Sequence, residues 1–131
     1  LRAALPSDVE MLGWVDRQAV TERLLRARSL VMPSEWYEPF GMVLIEAMSA
    51  GLPVVVTSAA GAGAITDAPD ELVVPPSRPT ALAAAIDALD DRRVDAVGAS
   101  NRARFEECFT ESTGVANLEA LYTSVIASAS R

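Results

Sequence analysis

Pro33-Ser34-Glu35-Trp36-Tyr37-Glu38-Pro39-Phe40-Gly41-Met42-Val43-Leu44-Ile45-Glu46-Ala47-Met48-Ser49-Ala50-Gly51-Leu52-Pro53 runs from the end of one apolar segment to the start of another. Just before it, Ser29-Leu30-Val31-Met32 reads as a strand that Pro33 stops. At its far end, Pro53-Val54-Val55-Val56-Thr57 is an unbroken β-branched run, the pattern of a strand buried on both faces. Between the two, Ser34 to Gly41 is a loop, and Met42 to Ala50 is helical and closes at Gly51, a favourable C′ residue.

The same alternation extends in both directions. Upstream, Val9 to Trp14 is a short apolar run ending near Gly13 and is expected to be a strand. Asp16 offers an N-cap to a helix in which Ala19, Val20, Leu24, Leu25 and Ala27 recur at helical spacing. Downstream come a small-residue loop from Ser58 to Gly63, a turn to Asp67, and a strand at Leu72-Val73-Val74 closed by Pro75 and Pro76. Thr80 is expected to cap an alanine-rich helix, 81–89, and two more helices follow near 94–109 and 113–129. Strands alternating with helices predict an α/β fold, a Rossmann-like parallel sheet with helices on both faces, followed by C-terminal helices.

Composition narrows the chemistry. The 131 residues fit one domain, and half of them are hydrophobic. The net charge of −7 disfavours nucleic acid, whose phosphates need clustered cations, and disfavours docking on an anionic membrane. With no histidine there is no Ser-His-Asp triad and no His-ligated metal, and one cysteine, Cys108, forms no internal disulfide. Cys108 is expected to be a half-buried structural thiol. All eleven basic residues are arginine, a composition that suggests a GC-rich bacterial genome. No segment approaches the roughly 18 apolar residues of a membrane span. Leu1 to Glu10 does not resemble a signal peptide, and without an initial Met the chain reads as part of a longer protein.

Ligands of open parallel sheets sit beyond the carboxyl ends of the strands, where the 34–41 loop lies. Gly41 stands at the helix start, so the amides of Gly41, Met42 and Val43 are expected to be free donors; with the macrodipole they form an anion site suited to a diphosphate. Glu38 and Glu46 flank it as acceptors, suited to hydroxyl groups of a sugar and of a ribose. Spacing alone also admits a plainer reading, in which Glu38 favours the helix dipole and Glu46 lies on a solvated face. Arg17, Arg23, Arg26 and Arg28 read as a solvated basic side of the first helix, and Asp67, Asp70 and Glu71 as a solvated loop. Trp36 and Tyr37 suit an acceptor, a domain interface or, for one of them, the core; Trp14 reads as a buried aromatic at a strand end.

Glu38-Pro-Phe-Gly-Met-Val-Leu-Ile-Glu46-Ala-Met-Ser-Ala-Gly-Leu-Pro-Val-Val resembles the E-x7-E signature of the family 4 retaining glycosyltransferases of the GT-B type. The likeness takes in Leu12-Gly13-Trp14-Val15 upstream, Leu72-Val73-Val74-Pro75-Pro76 downstream, and the closing helices with Leu118, Leu121 and Tyr122. It implies that residues 1–131 are the donor-binding, C-terminal half of a GT-B enzyme whose N-terminal acceptor domain lies outside this chain. It further implies transfer of a hexose from a UDP-, GDP- or ADP-sugar to a carbohydrate or lipid-linked acceptor, with retention, without a metal cofactor, and in the cytoplasm or peripherally at the inner membrane face. On the matching positions, Glu38 is the catalytic candidate against the donor sugar. Ser34, Pro39, Phe40, Gly41, Met42, Val43 and Leu44 border sugar and diphosphate, Glu46 bonds the ribose, and Gly13 and Trp14 lie on the base side.

Two positions depart from the family pattern: Ala64 stands where a glutamate aligns, and Glu71 where a glycine is common. The family's diphosphate-clamping arginine and lysine fall upstream of Leu1. The chain alone is therefore expected to be inactive. A non-catalytic sugar-nucleotide-binding module and a GT-B phosphorylase or synthase relative stand as alternatives.

Overall fold

The structure, a computed structural model, describes residues 6–59, 65–66 and 68–129. Along the chain come α1 (Arg17–Leu24), β1 (Leu30–Met32), α2 (Met42–Ser49), β2 (Val54–Thr57), a 3-10 turn (Asp70–Leu72), β3 (Val73–Val74), α3 (Pro79–Asp87), α4 (Asp91–Cys108) and α5 (Glu111–Ala129). The three strands form one parallel sheet in the order β1-β2-β3, with Leu30 opposite Val54 and Val56 opposite Val73.

The β-branched run becomes the central strand, and all four of its residues are buried. Its side chains alternate between two cores. Val54 and Val56 pack with Leu44, Ala47 and Leu52 around α2, joined by Leu24 of α1. Val55 packs on the other face with Leu72, Val74, Ala85 and Leu89, joined by Val94 and Val97 of α4. Helices therefore cover both faces, as expected, and each buried valine contributes about 1.5–3 kcal/mol. The 18 residues of α4 span about 27 Å. That length lets the helix begin beside Val55 and end with Phe105 and Phe109 against Ile45, Met48 and Ile65. Asp16 and Asp90 cap α1 and α4 through side-chain bonds to Ala19 N and Arg93 N, each 2.8 Å.

Several expectations are corrected. Residues 9–14 form no strand: they pair with no described strand, so Val9, Met11 and Leu12 have no layer to cover and stand exposed. Trp14, expected to be buried at the end of that strand, is 92% exposed for the same reason. Thr80 does not cap α3; Pro79 takes the first turn, where its missing N–H costs nothing, and Arg78 is the N-cap residue. The first helix ends at Leu24, leaving Leu25 as an exposed C-cap residue. Cys108 is exposed, because Phe105 and Phe109 occupy the packed side of that turn. The loop expected over 58–63 and the turn to Asp67 fall largely outside the described residues, as does Ala64. No residue of α5 is buried, and Leu118, Leu121 and Tyr122 are exposed.

Candidate functional site

The 34–41 loop is tied at both ends to the exit of β2. The Thr57 hydroxyl donates to the Ser34 carbonyl at 2.5 Å, and the Glu38 amide donates to the Ala59 carbonyl at 3.3 Å. Gly41 then takes φ +62°, a left-handed conformation that turns the chain into α2. A Cβ there would meet Leu44 Cδ1 and Met32 Cε at 3.2 Å, so both backbone and space call for glycine. No side chain caps α2.

The amides at this corner are not equivalent. Gly41 N–H, expected to be free, donates to Glu38 Oε1 at 3.3 Å, because the loop folds the carboxylate back over the helix start. Leu44 is corrected more firmly: its amide donates to the Gly41 carbonyl at 2.8 Å, a tightened first turn, and its side chain is fully buried. Met42 and Val43 keep amides without a partner among the described residues. Two donors at the positive end of the helix dipole, beside a half-buried carboxylate, can hold an anion and accept a hydroxyl at once.

The other candidates are distributed around this corner. Ser34 is half-buried, with its carbonyl engaged by Thr57, and Pro39 is exposed. Phe40, 47% exposed, meets Phe109 edge to face at 6.5 Å. Met42 is exposed. Gly13 (φ +70°) and Trp14 lie on the exposed segment before α1.

Glu46 is not at the corner. Five residues along the helix place it about 7.5 Å further on and roughly 140° around from Gly41. It lines a separate groove of about 180 Å³ between α1 and α2, with Arg17, Thr21, Leu24, Leu25, Ser49 and Ala50. The structure thus joins Glu38 to Gly41 and sets Glu46 on the neighbouring side of the same helix, half-buried and accessible. Arg17 shares that groove, is exposed and has no ion pair or side-chain hydrogen bond among the described residues, in keeping with a solvated side chain. Arg28 is more than solvated, reaching Asp91 at 2.5 Å and the Leu89 carbonyl at 2.7 Å. Among the described residues no group of three or more His, Cys, Asp or Glu side chains is placed to hold a metal ion.

Residues 1–91 match the model of a family described as glycosyl transferases group 1. The chain belongs to that family. It is 33% identical over 114 residues to D-inositol 3-phosphate glycosyltransferase of Streptomyces avermitilis, covering 86% of this chain and 24% of that protein. It is 36% identical over 94 residues to glycogen synthase of Mycobacterium tuberculosis, covering 71% of this chain and 22% of the relative. Sucrose-phosphate synthase from Thermosynechococcus elongatus superposes with a TM-score of 0.76 at 32% identity, over 89% of this chain and 30% of that one. The chain therefore spans less than a third of the length of each. In this group 1 glycosyltransferase chain the family match takes in the loop, α2 and the whole sheet. The expected GT-B, Rossmann-like α/β fold is the one observed.

Glu71, the second departure, has a structural partner. It lies in the 3-10 turn before β3 and pairs with Arg93 of α4. A hydrogen bond to its own backbone amide, and then the Arg93 guanidinium, hold its carboxyl below the usual range. Sequence reading missed a second cavity, lined by Glu35, Ser77 and Arg78, although Pro75-Pro76-Ser77 carried a turn signal.

Proposed function

We propose that this chain holds the donor of a retaining hexosyl transfer, a nucleotide diphosphate sugar, with its diphosphate on the opening of α2. The observation that carries this is the pair of amides at Met42 and Val43, without a partner among the described residues, beside the Glu38 carboxylate. When a donor binds, Glu38 releases the Gly41 amide to the diphosphate and accepts a hydroxyl of the hexose. Glu46, in its own groove, accepts the ribose hydroxyls, and the exposed segment at Gly13 and Trp14 borders the base. As the bond from the anomeric carbon to the diphosphate oxygen breaks, negative charge grows on the leaving group, where the fixed amide dipoles stabilise it. No step in this scheme calls on a metal ion.

The acceptor, a carbohydrate or a lipid-linked sugar, approaches from a domain outside this chain, so the chain by itself binds donor without turning it over. We place the longer protein in the cytoplasm or peripherally at the inner membrane face; among the described residues no helix is long and apolar enough to cross a membrane. The names glycogen synthase and sucrose-phosphate synthase among the relatives favour, as a second reading, a synthase acting on a glucan or a small sugar.

Calorimetric titration with UDP-, GDP- and ADP-glucose, on this chain and on a longer polypeptide carrying the acceptor domain, tests the proposal. Glu38→Ala is expected to abolish turnover in the longer protein while its circular dichroism is unchanged. Donor binding indifferent to Glu38 and Glu46, with no turnover at any stage, would show a non-catalytic module instead.

A further inference from the structure

A second concavity, of about 150 Å³, lies over the carboxyl ends of all three strands. Pro33 follows β1, Thr57 ends β2, and Val74 and Pro75 close β3, so it occupies the sheet edge where ligands of parallel sheets bind. It shares no lining residue with Gly41, Met42, Val43 or the Glu46 groove. Its volume is about half the lower bound of the roughly 300–1,000 Å³ that drug-sized ligands fill, so it has room for one ring and not for a nucleotide.

The rim is built at a conformational cost. Ser77 has φ +56°, the one positive value on a non-glycine residue among the described residues. A left-handed serine costs about 1–2 kcal/mol and persists where its surroundings hold it. Here its hydroxyl donates to Glu35 Oε1 at 2.8 Å, fixing that carboxylate at the rim. Arg78, the next residue, also lines the cavity and has no ion pair or side-chain hydrogen bond among the described residues. Glu35 disfavours an anion and Arg78 a cation, so the pair suits a ligand without net charge, and for hydroxyl groups it offers an acceptor on one side and a donor on the other.

Trp36 and Tyr37 follow Glu35 directly; they do not line the cavity itself but stand beside its rim in the chain, 85% and 80% exposed. They are not on a slack loop, since Ser34 and Glu38 on either side are both bonded to the exit of β2. Aromatic faces on an anchored backbone suit the C–H face of a pyranose, while its hydroxyls need charged partners such as Glu35 and Arg78. We propose that this cavity and the Trp36–Tyr37 edge form a binding subsite for a neutral pyranose ring of the acceptor carbohydrate. Only the word acceptor rests on the donor reading above; the sugar subsite itself does not.

The chain has two tryptophans, so Trp14→Phe leaves Trp36 as the single reporter. Methyl α-D-glucopyranoside, methyl α-D-mannopyranoside and maltose are titrated in the millimolar range, following Trp36 emission and its quenching by acrylamide. At least one sugar is expected to protect Trp36 saturably. The combined change Glu35→Gln with Arg78→Ala, which removes both charge-assisted hydrogen bonds, is expected to weaken that binding by at least about tenfold, with unchanged circular dichroism. No saturable response to any of the three sugars overturns the proposal, as does an affinity indifferent to Glu35 and Arg78, or saturable protection by inorganic phosphate instead. Nucleotide titration of the unsubstituted chain separates the two readings. Nucleotide binding without any glycoside response sinks the subsite alone, whereas glycoside binding without nucleotide binding supports the subsite and overturns the donor assignment.

Discussion

Gly98 of α4 lies against Gly51, the turn residue that follows α2, so closely that a methyl group at position 98 would stand 2.2 Å from the Gly51 carbonyl oxygen. The obstacle is backbone, which cannot swing aside as a side chain can. Gly98→Ala is therefore expected to destabilise the fold by about 1–3 kcal/mol, read from urea denaturation. Gly114→Ala, in α5 with nothing within 4 Å of the new methyl, is expected to stabilise by about 0.5–1 kcal/mol. Equal effects at the two positions would refute the close approach.

One turn on, the Asn101 amide donates to the Leu52 carbonyl at 2.7 Å and is only 2% exposed. Asn101→Ala leaves that carbonyl buried and unsatisfied, at a cost of about 1–3 kcal/mol. Asn101→Asp keeps the shape and removes the donor, setting a carboxylate against a carbonyl. The Asp variant is expected to be the less stable of the two at neutral pH and to regain stability as acid protonates it. Thermal melts across that pH range check the order.

Gly41 joins fold to proposed function. Alanine there is strained by φ +62° and crowded at 3.2 Å by Leu44 and Met32. Gly41→Ala is expected to cost about 1–2 kcal/mol in stability and also to weaken nucleotide diphosphate binding, since the Met42 and Val43 amides shift with it. Gly41→Asn, which tolerates the left-handed region, is expected to lose less of both. Calorimetry showing full nucleotide affinity in the alanine variant would remove the diphosphate from this corner.

Glu71 gives the acid limb of stability a local contributor. Its folded-state pKa is lowered from 4.5, so the folded protein binds fewer protons at this group than the unfolded chain does. The contribution is present above the ordinary value and is lost as pH falls through the lower folded value. Glu71→Gln is expected to make the melting temperature fall less steeply with pH below about 4.5. An unchanged slope would show that neither the backbone hydrogen bond nor the Arg93 pair lowers the Glu71 carboxyl in the folded protein.

The parts legible in sequence were those governed by local physics. The valine run at 54–56 announced a doubly buried strand, Met42 to Ala50 read as a helix, and Gly51 announced its end. Where a segment depends on a partner, reading failed. Val9 to Trp14 has strand composition and no ladder to join, and Thr80 has capping chemistry but sits behind a proline that already fills the first turn. At the candidate site, Glu38 and Glu46 were legible as acceptors on either side of the helix opening, whereas the bond from the Gly41 amide to Glu38 and the separate groove that Glu46 lines were not.

Taken alone, the amino-acid order determined the class of fold and the helix whose opening carries the candidate site, because β-branching, helical period and glycine at the turns act within a few residues of themselves; membership of the glycosyltransferases came through the resemblance of the Glu38 to Glu46 signature and the family match. Tertiary structure decided which amides stay free at that opening, that α4 closes on α2 through Gly98 and Asn101, and that Ser77 holds Glu35 across 42 positions of chain. Those are contacts between distant segments, settled only when the faces of the sheet and its helices come together, and no local rule contains them.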